Sequence, residues 1–508
     1  MKDKQTLEVA HQRGTRLSKP HADELINLFG GAHAQSEYFR ADDLLLINYA
    51  HVIMLYEQSI INLDEATEIL LAIKSLEEAG VEETIHLDSR VGDLSTHVEA
   101  YIIQATSVET GGKIHTGRSR NDLYPTMTKM LTRRSVLDVY GALVSLNETL
   151  LLLAEKYSDT IMPGYTQHSQ HAQPITLGFY LLGNYDVFGR SLQRLEDFWK
   201  RLNLCPMGAA ALATTSFPLD RKRIAELIGF DDFQEHAYDA ISSRDFLLEY
   251  LFILSAIASD IGRITENLIY WNTYEFGMIV LADEFTSFST IMPQKKNPVA
   301  LETLRSLNPV ITGKLHNAFG ILKALPWSNG RENTILDDDS IETGTQLKNM
   351  LLLLKGILES MTIKQDRMYD LALRGFSVST DLADLMVKEY DYSFRTAHEI
   401  VGFIVKNAVD ANLDPTKITS GMVEAAVKEF LGEEISVDAA KIRQVVDPKE
   451  SVEVRNLPGG PAHKEVIRMK EKREIMLETN KEFLVSCSSR IENAHKTLYG
   501  RVKDIVER

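Results

Sequence analysis

Long stretches with apolar residues at helical spacing, and almost no proline inside them, constrain this chain more than any other feature. Ala41 to Leu55, Asp64 to Glu77, Thr126 to Lys156, Thr176 to Leu202, Ser243 to Phe276, Val299 to Leu325 and Ile341 to Met361 all carry this pattern, which places apolar side chains on one face of an α-helix. Only 14 prolines occur in 508 residues, and a proline inside a helix removes a hydrogen bond and crowds the preceding turn. The chain therefore reads as mainly α, with strands a minority and the long helices gathered into a bundle. Leu151 to Ala154 and Leu351 to Leu354 are apolar nearly all round, as in helices buried on several sides or at a subunit interface. Proline and glycine gather in Gly111 to Arg120, Met162 to Pro174, Cys205 to Pro218, Asp283 to Pro298, Leu325 to Asp339 and Leu457 to Pro461, which read as loops. This punctuation divides the chain into an N-terminal helical domain (1–111), a central bundle (112–361) and a C-terminal helical domain (362–508). The last segment, Lys464 to Arg508, reads as an amphipathic helix.

Charge narrows the partners. With 72 acidic against 55 basic residues the formal net charge is -17, so the molecule as a whole repels phosphate backbones and anionic membranes. Nucleic acid and membrane are not expected partners; an anionic small substrate is, provided local arginines and lysines override the global field. The two cysteines, Cys205 and Cys487, are too few for a disulfide framework or a four-ligand zinc site and fit a reducing cytoplasm. Met1 to Pro20 is polar and charged, without the apolar stretch of a signal peptide, and no transmembrane span is read from the chain.

Three loops carry residues suited to chemistry. Gln294-Lys295-Lys296-Asn297-Pro298, after Ser287-Phe288-Ser289-Thr290-Ile291-Met292-Pro293, combines hydroxyls, two cations and an amide, a set that suits a carboxylate gaining charge during reaction. His115-Thr116-Gly117-Arg118-Ser119-Arg120-Asn121-Asp122 offers two guanidinium groups, each able to grip a carboxylate through parallel hydrogen bonds. Gly164 to Pro174 supplies hydroxyls, amides and the imidazoles of His168 and His171, which can move protons near neutral pH. A metal at His168 and His171 lacks a third ligand nearby, and Asp337-Asp338-Asp339, a possible magnesium site, reads more simply as a solvated helix start. No metal or cofactor is expected.

These three loops, in this order on a chain of long helices, resemble the aspartase/fumarase superfamily and, within it, the argininosuccinate lyase branch. The branch pattern His-Thr-Gly-Arg-Ser-Arg-Asn-Asp is met in full at His115 to Asp122, and Met-Pro-Gln-Lys-Lys-Asn-Pro at Met292 to Pro298. Similar runs occur at Met162 to Thr166, Ala172 to Pro174, Thr380 to Asp384 and Ala397 to Gly402. The resemblance implies a three-domain, mainly α fold with a central long-helix bundle, a homotetramer with active sites shared between subunits, and β-elimination of fumarate from an N-substituted L-aspartate, without cofactor or metal. It implies Ser289 as the general base, Lys295 and Asn297 around the carboxylate that gains charge, and Ser119, Arg120 and Asn121 on the substrate carboxylates. Thr166 or His168 would serve the leaving group, with Gln173 and Arg331 completing the substrate contacts. In the branch itself the products are arginine and fumarate.

The chain departs from the branch in several places. Tyr165-Thr166-Gln167-His168-Ser169-Gln170 is one residue longer before Ala172 than the usual Tyr-Thr-His-Leu-Gln run, Phe288 replaces a glycine, and Leu123 replaces a glutamine. After Leu-Pro the branch usually runs through Ala-Tyr-Asn-Lys-Asp and then a Gln, whereas this chain reads Trp327-Ser328-Asn329-Gly330-Arg331-Glu332-Asn333-Thr334, which keeps a cation as Arg331 but neither the tyrosine nor the glutamine. Gly92-Asp93-Leu94-Ser95 matches a family Glu-Asp-x-His only loosely. These departures fall where the amine half of the substrate is recognised. They leave open a lyase for another N-(dicarboxyethyl) amine, such as an aminopolycarboxylate or a secondary-metabolite intermediate, and, more remotely, a non-catalytic protein related to lens crystallins.

Overall fold

The computed structural model describes residues 22 to 508, apart from 89 and 91; Met1 to Pro20, read above as polar, lie outside the described residues. The architecture is mainly α. Helices α1 (Asp23–Tyr38), α2 (Ala41–Glu57), α3 (Leu63–Ala79) and α4 (Leu94–Ala105) precede five long helices: α5 (Arg120–Lys156), α6 (Leu177–Leu202), α7 (Asp245–Asn272), α8 (Val299–Leu322) and α9 (Arg331–Ser360). Smaller helices follow, among them α10 (Ser379–Tyr390), α11 (Phe394–Asp410) and α12 (Ser420–Leu431), before α13 (His463–Val506) closes the chain.

Local chemistry sets the ends of α5. Ser119 accepts a hydrogen bond from the Asn121 N–H, and the Asp122 carboxylate accepts the Ser119 N–H at 2.9 Å, a reciprocal cap. Two otherwise unsatisfied backbone donors are thereby met, so the helix starts six residues before the apolar pattern indicates, with Pro125 inside it. Its 37 residues span about 55 Å at ~1.5 Å per residue. α5 is long and apolar enough to cross a membrane. Here it is the centre of the bundle, with Val136, Leu143, Leu146 and Leu150 fully buried; each such side chain contributes roughly 1.5–3 kcal/mol.

Contacts along the helices fix their directions. Arg133 bonds Asn203, Tyr140 bonds Glu196, and Gly178 packs against the Ala154 carbonyl, so α6 runs antiparallel to α5. Phe198 stacks on Tyr250, and Tyr180 packs on Trp271, so α7 runs back parallel to α5. Thr128 bonds Asp337 and Thr149 bonds Glu359, which makes α9 parallel to α5 as well. α13 returns antiparallel along the same helix, with Lys470 on Glu155 and Lys481 on Glu148. Its far end reaches the N-terminal helices, where Arg501 meets Glu57 and Tyr499 meets Glu77.

The three largest clusters of buried apolar residues are the bundle core, a second core of α2 to α4 with the start of α5 and the end of α13, and a third around α10 to α12; two small clusters, around Ile161 and around Ala240, lie apart. The acidic run is fully engaged: Asp337 pairs with Arg244, Asp338 with Arg40, and Asp339 with Lys314.

Two segments read as loops fold otherwise. Met162 to Pro174 is a two-stranded antiparallel hairpin, β1 (Ile161–Thr166) and β2 (Gln170–Thr176), in which Thr166 faces Gln170 across the turn. Its proline and glycine belong to a register irregularity between Pro163 and Tyr165; a Cβ at Gly164 would sit 2.5 Å from the Gln173 carbonyl, a distance only glycine avoids. Of Leu325 to Asp339, everything from Arg331 onward is helix, because the polar residues Arg331, Glu332 and Thr334 occupy the open side of α9 while Asn333, Leu336 and Asp337 are buried.

Candidate active site

The bundle has two chemically distinct ends. At the start of α5, Asn121 donates from Nδ2 to the Ala211 carbonyl at 3.0 Å and accepts at Oδ1 from Asn329 Nδ2, also at 3.0 Å. Asn329 in turn accepts from Asn333 at 3.1 Å. This amide relay joins residues 119–121 to the segment before α9 that departs from the family pattern, and exposed Arg331 lies at the same end. Arg120 donates from Nη1 to Asp93 at 3.0 Å while 61% of its side chain stays exposed. Attraction to Asp93 raises its pKa above the usual arginine value.

The two arginines of the motif have separated. Arg118 is buried, donates to Asn48 at 2.6 Å, and is pushed down to about 10 by burial. It fastens α5 to α2 and is no part of an anion clamp. Leu123, a departure read as bearing on the amine half, is buried in the N-terminal core.

Asp122 was not singled out by the sequence reading beyond its place in the motif, yet it organises this end. One oxygen accepts the Ser119 N–H; the other accepts the N–H groups of Gly208 and Ala210 at 2.9 and 2.8 Å. It thus ties the start of α5 to the loop that holds Asn121 through Ala211. Burial raises its pKa to about 6 against the lowering effect of these donors. The signal was present in Ser119-x-x-Asp122, a capping-box spacing.

The other end carries the hairpin. Thr166, His168 and Gln173 are exposed, and Gln167, His168 and Ser169 form the turn with three consecutive positive φ angles of 40°, 58° and 67°. Such backbone is disfavoured for residues with a side chain, and neighbouring rings brace it: Tyr165 meets His171 and Phe276 edge-on at 5.3 and 6.0 Å. A cleft of about 660 Å³ lies between this turn and Glu266, Asn267 and Tyr270 at the α7 end, with Phe276 just beyond it.

Beyond α7, β3 (Ser287–Phe288) pairs with β4 (Lys296–Asn297), Ser287 opposite Asn297 and Phe288 opposite Lys296. The connecting residues form an exposed loop with Phe288 82% exposed. Ser289 Oγ accepts the Met292 N–H at 3.0 Å and the Ile291 N–H at 3.4 Å, so two backbone dipoles favour negative charge on that oxygen. The adjacent lysines divide their work. Lys296 anchors the loop, donating to the Leu281 carbonyl at 2.8 Å and Asp283 at 2.6 Å; Lys295 is exposed, and among the described residues its ammonium has no hydrogen-bond partner.

The structure therefore groups Ser119, Arg120, Asn121 and Arg331 at one end, and Thr166, His168, Gln173, Ser289, Lys295 and Asn297 toward the other. Within one chain, the length of α5 separates Arg120 from the hairpin.

Comparison with known proteins fits this geometry. The lyase family matches residues 21–313, and the argininosuccinate lyase C-terminal family matches 376–453. The chain is 34% identical over 498 residues to the argininosuccinate lyase of Methanococcoides burtonii, covering 97% of this chain and 99% of that one. It is 38% identical over 454 residues to that of Methanocaldococcus jannaschii, covering 89% and 92%. Among solved structures, an EDDS lyase variant with bound fumarate superposes with a TM-score of 0.86 at 30% identity, covering 96% of this chain and 97% of that chain. The chain belongs to the argininosuccinate lyase branch of the aspartase/fumarase superfamily and is a carbon–nitrogen lyase.

Proposed function

We propose that this lyase converts argininosuccinate to arginine and fumarate, in sites assembled from more than one copy of the chain. The observation that carries the reading is the separation of two fully matched motifs: His115 to Asp122 lies at the start of a 37-residue helix, and Met292 to Pro298 lies toward the other end, between the end of α7 and the start of α8. Antiparallel pairing of copies along the bundle brings opposite ends together. Apolar side chains on the outer bundle surface support such pairing: Leu152 is 62% exposed, and Phe252, Phe319 and Leu352 are exposed as well. A homotetramer is the proposed assembly and the cytoplasm the proposed location; the two thiols are free and buried, and burial pushes each up to about 11. The division into 1–111, 112–361 and 362–508 is likewise proposed, supported by three separate cores, with α13 packing back on the first two.

In this reading Ser289 takes the proton from the substrate Cβ. The electron pair left on carbon spreads into the neighbouring carboxylate, whose added charge Lys295 and Asn297 stabilise. The pair then forms the C=C bond of fumarate as the C–N bond breaks, and the departing nitrogen receives a proton from the His168 or Thr166 segment. Ser119, Arg120 and Asn121 fix the carboxylates, with Gln173 and Arg331 as further contacts. Serine is a weak base in water; the two N–H groups on Ser289 Oγ and the nearby Lys295 favour its ionised form.

A second reading, elimination of fumarate from another N-substituted aspartate, is favoured by Asn329 and Thr334 in place of the family tyrosine and glutamine and by the likeness to an EDDS lyase. Purified protein given argininosuccinate, with fumarate followed by its ultraviolet absorbance, separates the two. Rapid release supports the first. Silence there, with turnover of another aspartate adduct, supports the second.

A further inference from the structure

Beside the amide relay, three rings are gathered. Trp327, two residues before Asn329, packs on Tyr238 with centroids 4.8 Å apart and planes 30° apart, and lies over His236 at 6.1 Å and 24°. His236 Nδ1 accepts the Asp239 N–H at 3.2 Å, which fixes that ring at the start of its short helix. Trp327 nevertheless remains 57% exposed, so the stack covers only part of the indole. The structure contains three tryptophans; Trp199 and Trp271 are buried in the bundle core. An exposed indole resting on two other rings, within two residues of the amide that meets Asn121, is a built aromatic surface at the edge of the carboxylate site.

We propose that Trp327, supported by Tyr238 and His236, is the platform on which the planar cationic end of the amine half, a guanidinium, stacks during binding. This rests on the argininosuccinate reading above and adds the residue that selects the amine. A flat delocalised cation suits the site because the indole face is the strongest aromatic partner for a cation and a guanidinium stacks on it with little loss of hydration. The Arg120 and Asn121 cluster, tied to the same segment through Asn329, takes the carboxylates. Trp327 thus positions the amine end and takes no part in proton transfer.

Tryptophan emission of the intact parent enzyme tests this without turnover, because Trp327 is the exposed indole. Titration with L-arginine is expected to change the emission saturably, with L-citrulline, planar but neutral, and L-lysine, cationic but not planar, giving little change. Trp327→Phe is expected to abolish the signal. Trp327→Leu is expected to raise KM for argininosuccinate about tenfold while kcat stays within about twofold. Arginine without effect on the emission, or Trp327→Leu with the parent's KM, overturns the platform while fumarate release still upholds the reaction. Equal responses to citrulline or lysine overturn the planar-cation assignment. A saturable arginine response from an enzyme that leaves argininosuccinate intact upholds the platform and removes the substrate reading.

Discussion

Asn121 and Asn329, 208 residues apart in sequence, are joined by a single 3.0 Å hydrogen bond between their side-chain amides. That bond joins two segments that the sequence presents separately, and it predicts coupling between them in the proposed site. Asn121→Ala and Asn329→Ala should each lower kcat/KM, and the double variant should lose less than the sum, by about 0.5–1.5 kcal/mol of interaction energy. Steady-state kinetics on the four proteins checks this; strictly additive losses contradict a shared site.

Arg120 keeps 61% of its side chain exposed while one N–H is held by Asp93. Arg120→Lys retains the charge and removes the planar fork, so kcat/KM for fumarate release should fall about 10- to 100-fold with the melting temperature little changed. Kinetics equal to the parent's would show that the fork does not bind substrate.

The pair Arg244–Asp337, 3.1 Å apart and buried on both sides, links α7 to α9 while Asp337 also accepts from Thr128 of α5. Arg244→Met strands the carboxylate, and stability should drop by about 3–5 kcal/mol, more than for an exposed pair such as Lys200–Asp197. Denaturant unfolding of Arg244→Met beside Lys200→Met gives the comparison.

Asp122 binds a proton more readily in the folded protein, at about 6, than an ordinary carboxyl does. Between pH 4 and pH 6 the folded state therefore holds more protons at this position than the unfolded chain, and its contribution to stability declines as pH rises through that window, then levels off. Asp122→Asn lacks this titration and turns an amide donor toward backbone N–H groups. It should be less stable than the parent, with a gap that narrows from pH 4 to pH 6. A gap that widens over that interval would mean the carboxyl titrates lower in the folded protein.

Helix positions were legible because burial imposes a 3.6-residue period: the segments at Thr176 to Leu202 and Val299 to Leu325 differ from the observed helices only at their ends. Polar helix starts were not. Arg331 to Ser340 has its buried apolar face reduced to Leu336; the buried Asn333 donates to Asn329, one turn earlier, and the buried Asp337 accepts from Thr128 and Arg244, which are distant in sequence. The hairpin at Ile161 to Thr176 was hidden because proline and glycine, which mark loops, here sit at a bulge. At the site, the motifs gave residue types and left roles unresolved: only the fold shows Arg118 turned to Asn48, Lys296 spent on Asp283, and Trp327 resting on Tyr238.

The most direct test of a site divided between copies uses two damaged enzymes. Ser289→Ala and Arg120→Ala should each form oligomers and release almost no fumarate from argininosuccinate. After mixed subunits are allowed to reassemble, activity should return, because some sites then draw an intact Ser289 from one copy and an intact Arg120 from another. Mixed oligomers as inactive as their parents would place both residues of every site on the same chain and contradict the account.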